Sequence, residues 1–119
     1  TSDILSINCP VTKETKKIIN KKTLKFFSKE AIITNSARGD MIDDDAMVEA
    51  LKDKRIFALG LDVYNGEPNI HPGYLKYPNV FILPHLGSAT KKTRTDMADL
   101  AINNIEEFFK SGKCINKVN

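Results

Sequence analysis

Three ionisable side chains stand just behind apolar runs. Arg38 follows "IITNSA", Glu67 follows "ALGLDVYNG" and His85 follows "FILP". Their chemistries are complementary. An imidazole passes a proton near neutral pH. A carboxylate beside it holds one tautomer and favours the protonated form. A guanidinium binds a planar carboxylate through two parallel hydrogen bonds. Brought together, the three would grip an anionic acid and exchange a proton with a neighbouring oxygen.

Taken singly, each has a plainer reading. Arg38 fits a solvated cation or a clamp on carbonyls. Glu67 fits a turn residue before Pro68, His85 a strand-end cap, and Asp62 a helix or turn cap. His71, in "NIHPGY", reads as loop surface, and Cys9 as packing. Asp43, Asp44 and Asp45 suit a helix start, where negative charge complements the dipole, better than a metal, and no metal site is predicted.

Whether the trio meets depends on the elements that carry it. Strands are predicted over Ile4–Asn8, Ala31–Thr34, Phe57–Val63 and Val80–Leu83, the first and last stopped by Pro10 and Pro84. A polar connection over Thr12–Ile19 leads to a short helix over Asn20–Phe27. A second helix is predicted over Asp43–Lys52, with Ala46, Met47, Ala50 and Leu51 on one face. A long one follows over Ala89–Phe109. Its apolar side is Met97, Leu100, Ala101, Ile105, Phe108 and Phe109, and "SGK" ends it at Gly112. Short strands that are apolar throughout and alternate with helices predict a parallel sheet covered on both faces. In such a sheet ligands lie outside the carboxyl ends of the strands. All four endings, "NCP", "NSARG", "DVYNGEP" and "PHLGS", would then line one edge.

The totals narrow the function. The 119 residues are 41% hydrophobic and 28% charged, with a net charge of +3. Lys21–Lys22 and Lys91–Lys92 are isolated pairs, so nucleic acid is not an expected partner. Cys9 and Cys114 form neither a zinc pattern nor a disulfide framework and suit a reducing cytoplasm. No signal peptide is recognisable, and no apolar run reaches the roughly 18–20 residues of a membrane span. The opening "TSDILSINCP" has no initiator Met and reads as the continuation of something upstream.

Together the motifs "NSARGDMIDDDAMVEAL", "ALGLDVYNGEP" and "FILPHLGSAT" strongly resemble the NAD-binding domain of the D-isomer-specific 2-hydroxyacid dehydrogenases. The order Arg, Glu, His matches the family's catalytic trio, with 29 residues from Arg38 to Glu67 and 18 from Glu67 to His85. "INCPVTKETKKIIN" is similar to the segment on the cofactor's adenosine side. The loop "GEPNIHPGYLKYPNVFILPHLGSAT" looks like that of glyoxylate and hydroxypyruvate reductases. Asp44 stands where the family more often has Glu. The glycine-rich phosphate turn is absent.

The resemblance implies an α/β fold: the second half of a Rossmann-type, doubly wound parallel sheet over residues 1–112. Residues 113–119 would begin a tail returning to a substrate domain. It implies an oxidoreductase using NAD or NADP on a small 2-oxo or 2-hydroxy acid, as a cytoplasmic homodimer, with this chain alone inactive. Arg38 would bind the substrate carboxylate, Glu67 would orient His85, and His85 would donate the proton. Cys9, Pro10 and Thr15 would line the adenosine end. The backbone of Ser36 and Ala37 would approach the nicotinamide ribose, Asp62 would bind the carboxamide, and Gly87 and Ser88 would lie beside the ring. Arg38 and His85 would also border the cofactor. The alternatives are phosphoglycerate dehydrogenase-type activity and a non-catalytic, partner-dependent half-domain. The intact trio argues against a corepressor.

Overall fold

A computed structural model describes residues 2–118. Thr1 and Asn119, the outermost positions of the domain and tail predicted above, lie outside the described residues. The described strands are β1 (Ile4–Ile7), β2 (Ile32–Asn35), β3 (Ala58–Leu61) and β4 (Val80–Ile82), and the α-helices are α1 (Asp44–Lys52) and α2 (Lys91–Ser111). The strands form one parallel sheet in the order β1-β2-β3-β4, an α/β, Rossmann-like arrangement. Two compact units are separable, one ending at Gly87 and the other beginning at Ser88.

The core of the first unit lies under one face of the sheet. Ile33, Leu59 and Leu61 meet Met41, Met47 and Leu51 there. Each such side chain contributes about 1.5–3 kcal/mol by leaving water. The apolar runs predict burial on both faces, but β2 and β3 alternate strictly. Ile33, Asn35, Leu59 and Leu61 are buried, whereas Ile32, Thr34, Ala58 and Gly60 remain part-exposed. Three of those four outward side chains are small or polar, which an apolar run conceals.

α1 begins as its aspartates suggest: Asp43 is the N-cap and accepts from the Ala46 amide at 3.3 Å. The helix predicted over Asn20–Phe27 is only a 3₁₀ turn, Thr23–Phe26. Asn20 Oδ1 accepts from the Lys22 and Thr23 amides, and Thr23 Oγ1 donates to Ile18 O. Such local bonds offer the backbone an alternative to the α-helix. Two further 3₁₀ turns, Gly39–Met41 and Tyr74–Lys76, carry no periodicity that a sequence reading detects.

In the second unit Thr90 caps α2, and Gly112, at φ +71°, ends it with its amide on Phe108 O. The side chains of its apolar side stay open, Met97 at 59% and Phe109 at 82% exposure. Among the described residues no helix is long and apolar enough to cross a membrane.

Candidate active site at the carboxyl edge of the sheet

Because the strands are parallel and consecutive, their carboxyl ends lie side by side and are tied across. Ser36 Oγ donates to Asn8 Oδ1 at 3.0 Å, joining the ends of β2 and β1. The Asp62 amide donates to Asn35 O, and the His85 amide to Asp62 O.

Arg38 owes its place to Asn35, whose side chain is buried at the end of β2 with 1% exposure. Asn35 Nδ2 donates to Arg38 O at 2.8 Å, and its Oδ1 accepts from the Ala37 amide at 3.0 Å. Both polar ends of a buried amide are thereby satisfied and the "NSAR" turn is held. The Arg38 side chain is exposed, and Nη1 donates to Ala37 O at 2.7 Å. A guanidinium has five donors, so others remain for an anion.

The next residue admits no side chain. A Cβ on Gly39 would collide with the backbone of Tyr64 and Asn65. That close approach brings the loop after β3 against the loop after β2. Gly66, at φ +76°, then turns the chain in the left-handed region that favours glycine, and Glu67 follows.

Glu67 and His85 form the centre of the site. Glu67 Oε2 lies 2.8 Å from His85 Nδ1, and Oε1 accepts from the Tyr64 amide at 3.1 Å. The bond to His85, helped by the Tyr64 amide, holds the Glu67 carboxyl below the usual carboxylate range, against the opposing effects of partial burial and Asp62. An ionised Glu67 makes Nδ1 the donor and leaves Nε2 for a ligand. The side chains of His85 and Glu67, 48% and 33% exposed respectively, are reachable from solvent. His85 itself sits at φ +56°, a conformation non-glycine residues rarely adopt, and such outliers cluster at functional sites.

Arg38, Glu67 and His85 line one open cleft of about 780 Å³, within the usual size of a small-molecule site. Cys9, Pro10, Ser36 and Ala37 line it as well. Thr15 does not; its hydroxyl donates to Pro10 O at 2.7 Å and closes the turn that bears Pro10. Asp62 lies behind the His85 loop and accepts from the Leu86 and Gly87 amides at 2.6 and 2.8 Å. Ser88 opens the second unit. His71 is more than loop surface: Nδ1 accepts from the Gly73 amide, and Nε2 lies 3.3 Å from Asp45. The sequence reading passed over Asn8, Asn35, Tyr64 and Asn65. Asn35 left a signal, an Asn directly after an apolar strand, and so did Asn65 in its Asn-Gly pair, since both settings mark turns.

The arrangement can bind an anion and move a proton. The family model described as "D-isomer specific 2-hydroxyacid dehydrogenase, NAD binding domain" matches residues 1–87. Glycerate dehydrogenase of Hyphomicrobium methylovorum is 44% identical over 108 residues, 91% of this chain and 34% of that protein. The crystal structure of an NADPH-dependent glyoxylate/hydroxypyruvate reductase from Sinorhizobium meliloti, in complex with NADP and malonate, superposes with a TM-score of 0.87 at 36% identity, covering 95% of this chain and 35% of that one. The NAD-complexed D-isomer specific 2-hydroxyacid dehydrogenase of Lactobacillus delbrueckii ssp. bulgaricus has a TM-score of 0.88 at 29% identity, covering 98% and 40%. The chain spans about a third of the length of the curated relatives it matches.

Proposed function

The chain belongs to the D-isomer-specific 2-hydroxyacid dehydrogenases, with residues 1–87 matching part of their NAD-binding domain, and from that premise we propose that the protein carrying it reduces a small 2-oxo acid, glyoxylate or hydroxypyruvate, to the 2-hydroxy acid with NADH or NADPH. The observation that carries this reading is the 2.8 Å Glu67–His85 pair in a cleft that Arg38 also lines.

The cofactor, when bound, supplies the electron pair as a hydride to C2 of the acid. The chain's own residues do the rest. Arg38 takes the substrate carboxylate with the donors not spent on Ala37 O and draws electron density towards the adjacent carbonyl. His85 gives its Nε2 proton to the oxygen that becomes the hydroxyl. Glu67 faces the positive charge that His85 carries before that step and keeps the ring aligned. In the oxidative direction His85 takes the proton back.

For the cofactor, Cys9 and Pro10 would border the adenosine side, and Thr15 would act through Pro10. The backbone of Ser36 and Ala37 would meet the nicotinamide ribose, with Arg38, His85, Gly87 and Ser88 near the ring. Asp62 already accepts two amides, but a carboxylate has about four lone-pair sites, so it still has room for the carboxamide. On the same reading the protein is a homodimer of the cytoplasm, where the exposed thiols of Cys9 and Cys114 stay reduced.

The test is oxidation of NADH and NADPH by the whole protein with each keto acid, beside its His85→Gln variant. Turnover lower by roughly 10²–10⁴ in the variant is expected for a lost general acid. Undiminished turnover would remove His85 from that role.

A further inference from the structure

Glu67 has to meet His85 within hydrogen-bond distance, yet its loop has no regular structure between Leu61 and Tyr74. Asp44, the first residue of α1, has both carboxylate oxygens committed to that loop. Oδ1 accepts from the Tyr74 hydroxyl at 2.8 Å, and Oδ2 from Asn65 Nδ2 at 2.9 Å. Asn65 lies two positions before Glu67, and its amide also donates to Ile42 O at 3.2 Å. Tyr74 closes the far end of the loop with 1% exposure. Burial first, then Asp44, push its phenol far above the ordinary tyrosine range, so it stays a donor.

We propose that Asp44 is a positioning residue of the reaction: by holding Asn65 and Tyr74 it fixes the loop on both sides of Glu67 and so sets Glu67 Oε2 against His85 Nδ1. The proposal rests on the oxidoreductase reading above. The neighbouring aspartates do different work. Asp43 caps α1 and pairs with Lys17, and the exposed Asp45 faces His71. As a first-turn acid alone, Asp44 would contribute only about 0.3–1 kcal/mol. Its two loop donors are what that role leaves unexplained. The amide of Tyr64, the residue just before Asn65, reaches Glu67 Oε1, so a shift of Asn65 is passed directly to the carboxylate.

The experiment uses the whole protein with Asp44→Ala, Asn65→Ala and Asp44→Glu. For Asp44→Ala, kcat should fall roughly ten- to hundredfold, as expected for a small misplacement of a catalytic group. Asn65→Ala should show a smaller fall. KM for the keto acid should change little, because Asn35 holds Arg38 independently. The acid limb of the kcat profile should move to higher pH, since Glu67 loses the bond that keeps its carboxyl low. Asp44→Glu retains both acceptors and should recover part of kcat. Nitrogen-15 spectra of the ligand-free protein should show the His85 Nδ1–H bond to Glu67 weakened in both alanine variants. Folded alanine variants with native kcat, acid limb and imidazole spectrum would overturn the proposal, as would a change in KM alone. If Asp44→Ala does not fold, Asn65→Ala decides by the same readouts. A His85→Gln variant with native turnover overturns the reading of the site instead, whatever the spectra show.

Discussion

Replacing Gly39 by alanine should damage the site without touching any group that meets substrate. The new methyl would collide with Tyr64 C and Asn65 N and lie 2.6 Å from Tyr64 O. All three are backbone atoms, so no rotamer change relieves the clash. Ordinary van der Waals contact begins at 3.4 Å, and Tyr64 C, the nearest of the three, sets the requirement, so the loop after β3 must retreat by about 1.2 Å. Glu67 stands far along that loop, whereas the chain leading to His85 is tied to the end of β3 and the foot of the loop, by the Leu83 amide on Leu61 O and the His85 amide on Asp62 O. The 2.8 Å pair would open to about 4.0 Å, no longer a hydrogen bond. Overpacking of this kind costs typically 1–3 kcal/mol, and a misplaced catalytic group roughly ten- to hundredfold in turnover. Thermal unfolding and kcat of the whole protein, wild type beside Gly39→Ala, measure both. Native melting temperature together with native kcat would refute the idea that this close approach sets the Glu67–His85 distance.

Two other outcomes follow from the same geometry. Arg38→Lys keeps the charge but loses the planar fork, so KM for the keto acid should rise about ten- to hundredfold, the worth of a charge-assisted hydrogen bond; an unchanged KM counts against carboxylate binding there. The Asp43 carboxyl is held below the ordinary aspartate range by Lys17 first and by the Ala46 amide second. A depressed folded pKa means that its contribution is fully present above about pH 3.9, the unfolded value, and is lost as pH falls through the lower folded value. Asp43→Asn keeps a cap acceptor but cannot titrate, so its melting temperature should fall less steeply than wild type below about pH 4, and identical acid limbs would contradict the assignment.

What could be read in advance, and what could not, divides by the physics involved. Arg38, Glu67 and His85 were legible because each is chemically distinctive and each follows an apolar run. The parallel register then converts four sequence endings into one edge. The 3₁₀ turn at Thr23–Phe26 was mistaken for a longer helix because Leu24 and Phe27 have helical spacing. The competing bonds of Asn20 and Thr23 become visible only in three dimensions. His71 looked idle because its partner, Asp45, belongs to another element.

The supporting residues escaped for a related reason, and it bears on how such a site is built. Asn35, Gly39 and Asp44 contribute no reactive group. Asn35 works by satisfying two backbone groups of the Arg38 turn. Gly39 works by the absence of a side chain, and Asp44 by accepting from donors 21 and 30 residues away. Arg38 and the Glu67–His85 pair are therefore positioned by separate contacts, the first through Asn35 and the second through Gly39 and Asp44. The two halves of the chemistry should fail separately. Disturbing the Asn35 turn should act mainly on binding of the acid, whereas disturbing Gly39 or Asp44 should act mainly on the proton transfer.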